Sequence, residues 1–251
     1  MPESSSPAHP VTLAEALGAL FFRFRGVLPV PLVVTAVVLS WRAHIVPGPG
    51  GLAVDDALNV VGLVLCGFGA ALRFLTIASV PAGTSANNRV LAAQGLNTTG
   101  PYAVVRHPLY LANAHLLVGL LCIAHAPWAW GLGLGYFAAA YGFIIRAEEA
   151  LLARTYGDAW REWTARVPAW VPKLSALPAA FQGPRDFKRA ALREVNTLVA
   201  WGVGACLLLG WESWARGQLF GLRGQVLRAV LVTLLVLWPV GKVLRRRARS
   251  R

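Results

Sequence analysis

Residues 97–110 read NTTGPYAVVRHPLY, and residues 146–149 read RAEE. Between these two polar stretches lie two apolar segments, 109–126 and 128–145, which meet at a break near Pro127. Each segment has 18 residues, which is within the range of about 17–25 residues that cross a bilayer core as a helix. A helical hairpin through the membrane would therefore bring the two polar stretches together on one face.

The composition is typical of a membrane protein. Of the 251 residues, 56% are hydrophobic and only 14% are charged, whereas soluble domains carry about 25% charged residues. The net charge of +13 comes from Lys and Arg side chains that flank apolar segments. This distribution favours a membrane surface, and not nucleic acid, as the partner.

The apolar segments predict an all-α, polytopic membrane protein with six transmembrane helices. We expect an N-terminal arm (1–26), a membrane core (27–191) and a C-terminal two-helix hairpin with a basic tail (192–251). In the arm, residues 12–24 fit either an amphipathic helix on the membrane or a solvated segment. The stretch 146–191 is rich in Arg and Trp and too polar to cross, so we expect it at the interface. The predicted spans cover residues 27–46, 57–80, 109–126, 128–145, 192–211 and 225–244.

The distribution of basic residues predicts the orientation. Lys and Arg are concentrated in residues 146–191 and from Lys242 onward, whereas the connections on the other side hold few. Positive loops stay in the cytoplasm. We therefore expect an integral protein of a bacterial inner membrane, with both termini and both polar stretches on the cytoplasmic side.

The start of the third predicted span has the features of an anion site. Pro108 fits the first position of a helix, which places Arg106 and His107 at the helix mouth and Tyr110 about one turn inside. Free backbone N–H groups and the positive end of the dipole favour an anion there. Arg106 adds a fixed charge and paired donors.

The returning helix carries two adjacent carboxylates, Glu148 and Glu149. Neighbouring helical positions point about 100° apart, so we expect one to face the cavity while the other pairs with an Arg or with polar loop atoms. Arg106, His107 and Arg146 could simply mark cytoplasmic helix ends. The positive-inside tendency does not account for the glutamates, and this favours a functional site.

An ordered series of motifs resembles the isoprenylcysteine carboxyl methyltransferase and phospholipid methyltransferase superfamily over roughly residues 62–172. It comprises Gly100-Pro101-Tyr102, Arg106-His107-Pro108-Leu109-Tyr110, Glu148-Glu149, Tyr156-Gly157 and Arg166-Val167-Pro168. The resemblance implies an integral membrane enzyme that uses S-adenosylmethionine. Trp160 and Trp163 stand where many members have tyrosines, which leaves the substrate class open.

The resemblance also implies roles for particular residues. Arg106 and Arg166 would orient the polar group of the substrate. His107 or a glutamate would be the base if the acceptor is an amine or a hydroxyl, whereas a carboxylate acceptor needs none. The residues implied to bind the cofactor are His107, Pro108, Tyr110, Glu148 and Glu149. We add Tyr102, because the turn at Gly100-Pro101 would lay it over the helix mouth.

The chemistry of S-adenosylmethionine suits these residues. Its carboxylate fits the helix mouth, and its amino group and ribose hydroxyls fit Glu148 or Glu149. An aromatic face such as Tyr102 or Tyr110 can stabilise its sulfonium. Methyl transfer is an in-line displacement that needs close approach in a dry site. We expect no metal, because His44, His115 and His125 are scattered.

Several residues inside or next to the apolar segments have two interpretations. Arg73 either snorkels to the interface or binds a head group within the bundle. Asn113 and His115 either form helix–helix hydrogen bonds or line the cavity. Three tryptophans either lie at the interface or stack on a ligand, and three cysteines are expected to be small buried hydrophobes. These are Trp160, Trp163 and Trp170, and Cys66, Cys122 and Cys206.

The sequence thus predicts transfer of a methyl group from S-adenosylmethionine to a lipid or other apolar acceptor. Two alternatives are a membrane reductase that uses NADPH and a non-enzymatic channel or binding protein. The reductase would have few phosphate partners and lacks a GxGxxG motif. A channel would carry polar residues through several spans, whereas here they collect at one face. The acceptor and the oligomeric state are left open by the sequence.

Overall fold

The computed structural model describes residues 12–24, 51–81 and 95–249. No strand occurs in these residues, and the predicted all-α fold is confirmed. Two short 3-10 segments, Gly100–Ala103 and Leu174–Phe181, lie between the α-helices. The α-helices are α1 (Leu13–Phe24), α2 (Gly51–Ser79), α3 (Pro108–Ala124), α4 (Pro127–Arg166), α5 (Phe187–Ala215) and α6 (Leu222–Arg249).

Four of the described helices, α2, α4, α5 and α6, are long and apolar enough to cross a membrane. The fifth apolar helix, α3, is shorter, with 17 residues. The predicted spans from residue 57 onward correspond to these five helices. The predicted span 27–46 lies outside the described residues, so the count of six stays a prediction.

A proline opens each helix of the α3–α4 hairpin. Pro108 and Pro127 each open a helix, where the missing N–H costs nothing. Between the helices, Ala126 is extended (φ −109°, ψ 101°), the conformation favoured before a proline. The predicted hairpin therefore forms where the sequence placed it.

Helix α4 extends far beyond the predicted span 128–145, and only its final part bends. It runs 40 residues to Arg166, with a break at Gly157 (φ 51°, ψ −115°). No proline interrupts it until Pro168, before which Val167 is extended. The expected interfacial stretch 146–191 therefore begins as a continuation of the returning helix, and Glu148 and Glu149 lie on a rigid element.

Close backbone contact holds α2 against α3. A Cβ on Gly62 would lie 2.6 Å from the carbonyl oxygen of Gly119, and one on Gly69 would lie 2.7 Å from that of Ala112. Glycines at these positions let the two helices approach more closely than side chains would allow. This contact fixes the start of α3 relative to the end of α2.

Helix α1 packs against α4, whereas the sequence suggested a membrane-surface helix or a solvated arm. Phe22 is fully buried in a cluster with Tyr110 and Ile144. Arg154 Nη1 donates to Glu15 Oε1 at 2.6 Å. Part of α1 is thus covered by the protein, whereas Leu13, Leu20 and Phe24 are exposed, so a position of α1 on the membrane surface stays a prediction. Through Phe22, α1 reaches the neighbourhood of the polar motifs.

The C-terminal hairpin, α5 and α6, is joined to the rest of the bundle through α5. Leu208 and Leu209 of α5 form a buried cluster with Leu120 and Ile123 of α3. At the other end, the Asp186 backbone N–H donates to Ala78 O at 3.0 Å. Asp186 also caps α5 by accepting from the Arg189 N–H at 2.8 Å. Helix α5 therefore contacts the core along its length.

Candidate active site

The loop that leads into α3 is held by two backbone hydrogen bonds to the segment after α4. The Arg106 N–H donates to Pro168 O at 2.8 Å, and the Lys173 N–H donates to Val104 O at 3.0 Å. Upstream, Gly100 turns the chain with φ 61°, and a Cβ there would lie 2.6 Å from Ser79 Cβ. The Gly-Pro-Tyr motif is thus needed for a tight turn against the end of α2.

Arg106 and His107 both contact Glu149, so the hairpin joins the two polar motifs. Arg106 Nη1 donates to Glu149 Oε1 at 2.8 Å, and His107 Nε2 lies 2.9 Å from the same oxygen. The His107 side chain is 5% exposed, whereas that of Glu149 is 29% exposed. The carboxylate is therefore oriented from its buried side and open to solvent on the other.

The neighbouring carboxylate is oriented by the same helix. Tyr110 OH donates to Glu148 Oε2 at 2.8 Å. Glu148 thus reaches the first turn of α3, and Glu149 reaches the two residues just before it. The pairing of Glu149 with Arg106 is the arrangement we expected for one of the two carboxylates. Among the described residues, no hydrogen bond uses Glu148 Oε1 or Glu149 Oε2. Each carboxylate therefore keeps one oxygen that can accept a hydrogen bond from a ligand.

Aromatic rings line up beside these carboxylates. His107 stacks on Tyr110 with ring centroids 5.6 Å apart, and Tyr110 meets Tyr141 of α4 edge-on at 5.0 Å. Phe137 stacks on Tyr141 at 4.1 Å. Trp170 lies 6.4 Å from His107 and is 38% exposed. Ring faces next to acidic groups suit a ligand that carries positive charge.

Tyr102 lies in a separate aromatic cluster under the loop. It packs against Trp160 and Trp163, which are 7% and 6% exposed. Burial raises the pKa of the Tyr102 hydroxyl, and the charge of Glu148 raises it further, so this group stays protonated. Trp160 and Trp163 thus pack inside the protein, beyond the bend at Gly157, and the choice between an interfacial position and stacking on a ligand stays a prediction.

Arg146 and Arg166 are placed differently from Arg106. Both are exposed. Arg166 Nε donates to Glu162 O of its own helix at 3.2 Å. The structure therefore brings together Arg106, His107, Tyr110 and the two glutamates, but it does not join Arg166 to them. The roles we assigned to all these residues stay predictions.

The sequence reasoning missed Glu194 of α5. Arg73 Nε donates to Glu194 Oε2 at 2.6 Å, and Arg73 Nη2 donates to Glu194 Oε1 at 3.1 Å. Arg73 therefore neither snorkels nor offers a free charge to a head group, because its partner is inside the bundle. The available signal was a lone carboxylate within an apolar segment, at a depth similar to that of a lone arginine.

The two polar residues of α3 behave differently. Asn113 makes the expected helix–helix hydrogen bonds, accepting from Arg73 Nη1 at 2.5 Å and donating to Tyr141 OH at 2.7 Å. His115 Nδ1 instead lies 2.8 Å from the carbonyl oxygen of Leu111 in its own helix, and its ring packs on Phe68 of α2. Asn113 therefore bridges Arg73 of α2 and Tyr141 of α4, whereas His115 bonds within its own helix and packs on α2.

Comparison with known proteins identifies the family. Residues 58–159 match the family model described as phospholipid methyltransferase. This chain belongs to the phospholipid methyltransferase family. The resemblance in the motif series is thereby confirmed, and the chain is a multi-pass membrane methyltransferase. The matched region contains the Arg106, His107 and Tyr110 contacts with both glutamates, but it excludes α1, α5 and α6.

Two bacterial relatives carry names that refer to metal resistance. The chain is 31% identical over 184 residues to the cobalt-zinc-cadmium resistance protein CzcN of Cupriavidus metallidurans, covering 68% of this chain and 74% of that protein. It is 38% identical over 80 residues to the nickel-cobalt-cadmium resistance protein NccN of Alcaligenes xylosoxydans xylosoxydans, covering 32% of this chain and 37% of that protein. No solved structure matches.

In the described part of this chain, no group of three or more His, Cys, Asp or Glu side chains could hold a metal ion.

Proposed function

We propose that this protein transfers a methyl group from S-adenosylmethionine to a lipid or other apolar acceptor at the membrane. The observation that carries the proposal is the contact of Arg106 and His107 with Glu149. This contact joins two motifs from opposite ends of the hairpin into one polar site. Family membership favours methyl transfer over the reductase that the sequence left open.

The donor and acceptor groups of the site fit S-adenosylmethionine. Arg106 Nε is buried and has no hydrogen-bond partner among the described residues, which suits the carboxylate of a ligand. The open oxygens of Glu148 and Glu149 suit an amino group or ribose hydroxyls. The ring of Tyr110 suits a sulfonium. Tyr102 packs against Trp160 and Trp163, but it is near enough to Glu148 to feel its charge, and we keep it as a second candidate for this role. His107 and Pro108 form the helix mouth between these groups.

When bound, S-adenosylmethionine supplies a methyl group activated on a cationic sulfur. The residues of the chain have the task of holding donor and acceptor in line and keeping water out. Arg106 and His107 fix Glu149, and Tyr110 fixes Glu148, before any ligand arrives. Such preorganised groups do not have to reorient during the reaction.

The acceptor decides whether a base is needed. An amine or hydroxyl must lose a proton, and we assign a glutamate or the other ring nitrogen of His107, Nδ1, to receive it, because His107 Nε2 already donates to Glu149 Oε1. A carboxylate acceptor needs no base, and Arg106 or Arg166 would orient it. With the site in the cytoplasm, the cofactor enters from water and the acceptor arrives through the bilayer by a lateral opening between helices.

The test is transfer of label from methyl-labelled S-adenosylmethionine. Purified protein in detergent is mixed with vesicles made from a total bacterial lipid extract, and label is followed into the organic phase. We expect transfer by the wild-type protein and a loss of at least about tenfold in Glu149→Gln. Label in the organic phase that is equal for both proteins, or absent for the wild type, would contradict the proposed function with these lipids.

A further inference from the structure

We propose that Glu194, in the C-terminal hairpin, is a positioning residue for methyl transfer. It acts through Arg73, Asn113 and Tyr141 on the orientation of Tyr110 and Glu148. This inference rests on the proposed function. It concerns a helix that lies outside the region matched by the family model.

The first step is the ion pair between Glu194 and Arg73. Both Glu194 oxygens accept from the guanidinium, at 2.6 and 3.1 Å. The side chains are 6% and 12% exposed. A buried charge that loses its partner is strongly unfavourable, so each group holds the other in one geometry. Glu194 thereby fixes the direction of the third guanidinium nitrogen, Nη1.

The second step is the amide of Asn113. Arg73 Nη1 can only donate, so Asn113 must present Oδ1 to it, at 2.5 Å. The Asn113 NH₂ group is then directed at Tyr141 OH, 2.7 Å away. If the Asn113 amide were flipped, its NH₂ group would face Arg73 Nη1, and two hydrogen-bond donors would oppose each other. The orientation of Asn113, and with it the position of the Tyr141 hydroxyl, therefore depends on the Arg73–Glu194 pair.

Aromatic packing connects Tyr141 to Tyr110. The Tyr141 ring, 6% exposed, meets the Tyr110 ring edge-on at 5.0 Å. Phe137 closes the other side of Tyr141 at 4.1 Å. Tyr110 then donates to Glu148 at 2.8 Å. A shift of Tyr141 changes the space open to Tyr110 and the direction in which its hydroxyl holds the carboxylate.

These contacts give the C-terminal hairpin a role beyond packing. A misplacement of about 1 Å at a reacting group can reduce a rate about a hundredfold. Arg73, Asn113 and Tyr141 lie within the region that matches the family model. The anionic partner of Arg73, Glu194, lies outside that region, in α5. The ion pair with Arg73 accounts for the carboxylate that α5 carries two turns after its start.

The test compares three variants by calorimetric titration with S-adenosylmethionine and by thermal unfolding. Glu194→Gln removes the charge that fixes Arg73. Tyr141→Phe removes only one hydroxyl, so it keeps the inference testable if Glu194→Gln fails to fold. Glu212→Gln is the matched control, because Glu212 is another buried, ion-paired glutamate of α5, at the far end of that helix.

We expect Glu194→Gln and Tyr141→Phe each to raise the dissociation constant of S-adenosylmethionine about tenfold. The dissociation constant of the double variant should not exceed that of the weaker-binding single variant, because both changes break the same chain of contacts. Glu212→Gln should lower the unfolding temperature and leave the dissociation constant unchanged.

Three results would overturn the inference. One is an unchanged dissociation constant in Glu194→Gln or, where that variant does not fold, in Tyr141→Phe. Another is full additivity in the double variant. The third is an equal loss of affinity in Glu212→Gln, because that would make the effect one of stability alone. A wild-type protein that does not bind S-adenosylmethionine would instead remove the proposed function, and the inference with it.

Discussion

A single carboxylate oxygen receives two basic side chains in this protein. Arg106 and His107 both meet Glu149 Oε1, and the first of these is a charge-assisted hydrogen bond. The Glu149 side chain is 29% exposed, and neither of these two contacts uses its other oxygen, Oε2. At the scale of one residue, Glu149 therefore links the fixed helix mouth to any ligand that enters the site.

Neutralising Glu149 should weaken the cofactor complex. In Glu149→Gln, the amide can keep one contact with Arg106, but it loses the negative charge that a cationic ligand needs. We expect the dissociation constant of S-adenosylmethionine to rise more than about tenfold, or about 1.4 kcal/mol, in a calorimetric titration. Glu162→Gln is the control, because Glu162 is exposed on the same helix. Unchanged affinity in both Glu148→Gln and Glu149→Gln would exclude the role proposed for this pair.

The sequence predicts that the Arg-His-Pro motif and the two glutamates converge, but it does not predict which residues of other helices pack around them. The Arg-His-Pro and Glu-Glu motifs flank one apolar hairpin, so the bilayer thickness alone brings them together. Glu194 and Arg73 come from helices far apart in sequence, and no periodicity specifies their pairing. The burial of Trp160 and Trp163 was missed for a similar reason, because it depends on the bend at Gly157.

At the scale of elements, the contact between α1 and α4 makes a terminal helix part of the core. A Cβ on Gly18 would lie 2.4 Å from the carbonyl oxygen of Phe143 and 2.5 Å from Ala147 Cβ. Phe22, one turn later, reaches the cluster that contains Tyr110. The periodicity of α1 indicated an apolar face, but periodicity alone does not tell a lipid partner from a protein one.

Gly18→Ala should displace α1 from α4. The contacted atoms belong to backbone and to a short side chain, so they cannot move aside easily. We expect a loss of about 1–3 kcal/mol in the free energy of unfolding, measured in detergent. Gly142→Ala is the matched control on α4, where a Cβ would meet no described atom within 4 Å. That change should raise stability by about 0.5–1 kcal/mol. Equal effects of the two substitutions would show that α1 is not docked as described.

At the scale of the whole molecule, polar groups collect at both ends of the bundle and form two different kinds of cluster. The site end holds Arg106, His107 and the two glutamates. The far end holds a buried ion network in which Arg216 Nη2 lies 2.5 Å from Glu212 Oε1 and Arg223 also contacts Glu212. Asn59 Nδ2 donates to the same carboxylate at 2.8 Å.

The far network explains a feature of the charge distribution. Arg216 and Arg223 are basic residues on the side predicted to be outside the cytoplasm, where positive loops are disfavoured. Arg216 Nη1 lies 2.7 Å from Asp56 Oδ1, and both arginines pair with acidic groups. Counting basic residues predicted the orientation, but it could not show that these two are neutralised. Such pairings become visible only when α2, α5 and α6 are assembled.

Glu212→Gln should destabilise the fold without affecting the site. Glu212 is 1% exposed, and neutralising it removes the buried carboxylate that pairs with both Arg216 and Arg223, which leaves the exposed Asp56 as the acidic group they share. We expect a loss of about 3 kcal/mol in the free energy of unfolding. Asp158→Asn, which removes the exposed pair with Arg161, should change stability little. A Glu212→Gln protein as stable as the wild type would contradict the role of this network in joining α5 and α6 to α2.

The most direct test of the central claim is a calorimetric titration of the purified protein with S-adenosylmethionine and, separately, with NADPH. The hairpin site, in which a cationic helix mouth faces two carboxylates, predicts binding of S-adenosylmethionine and no binding of NADPH. Binding of NADPH alone would contradict the assignment of methyl transfer to this site.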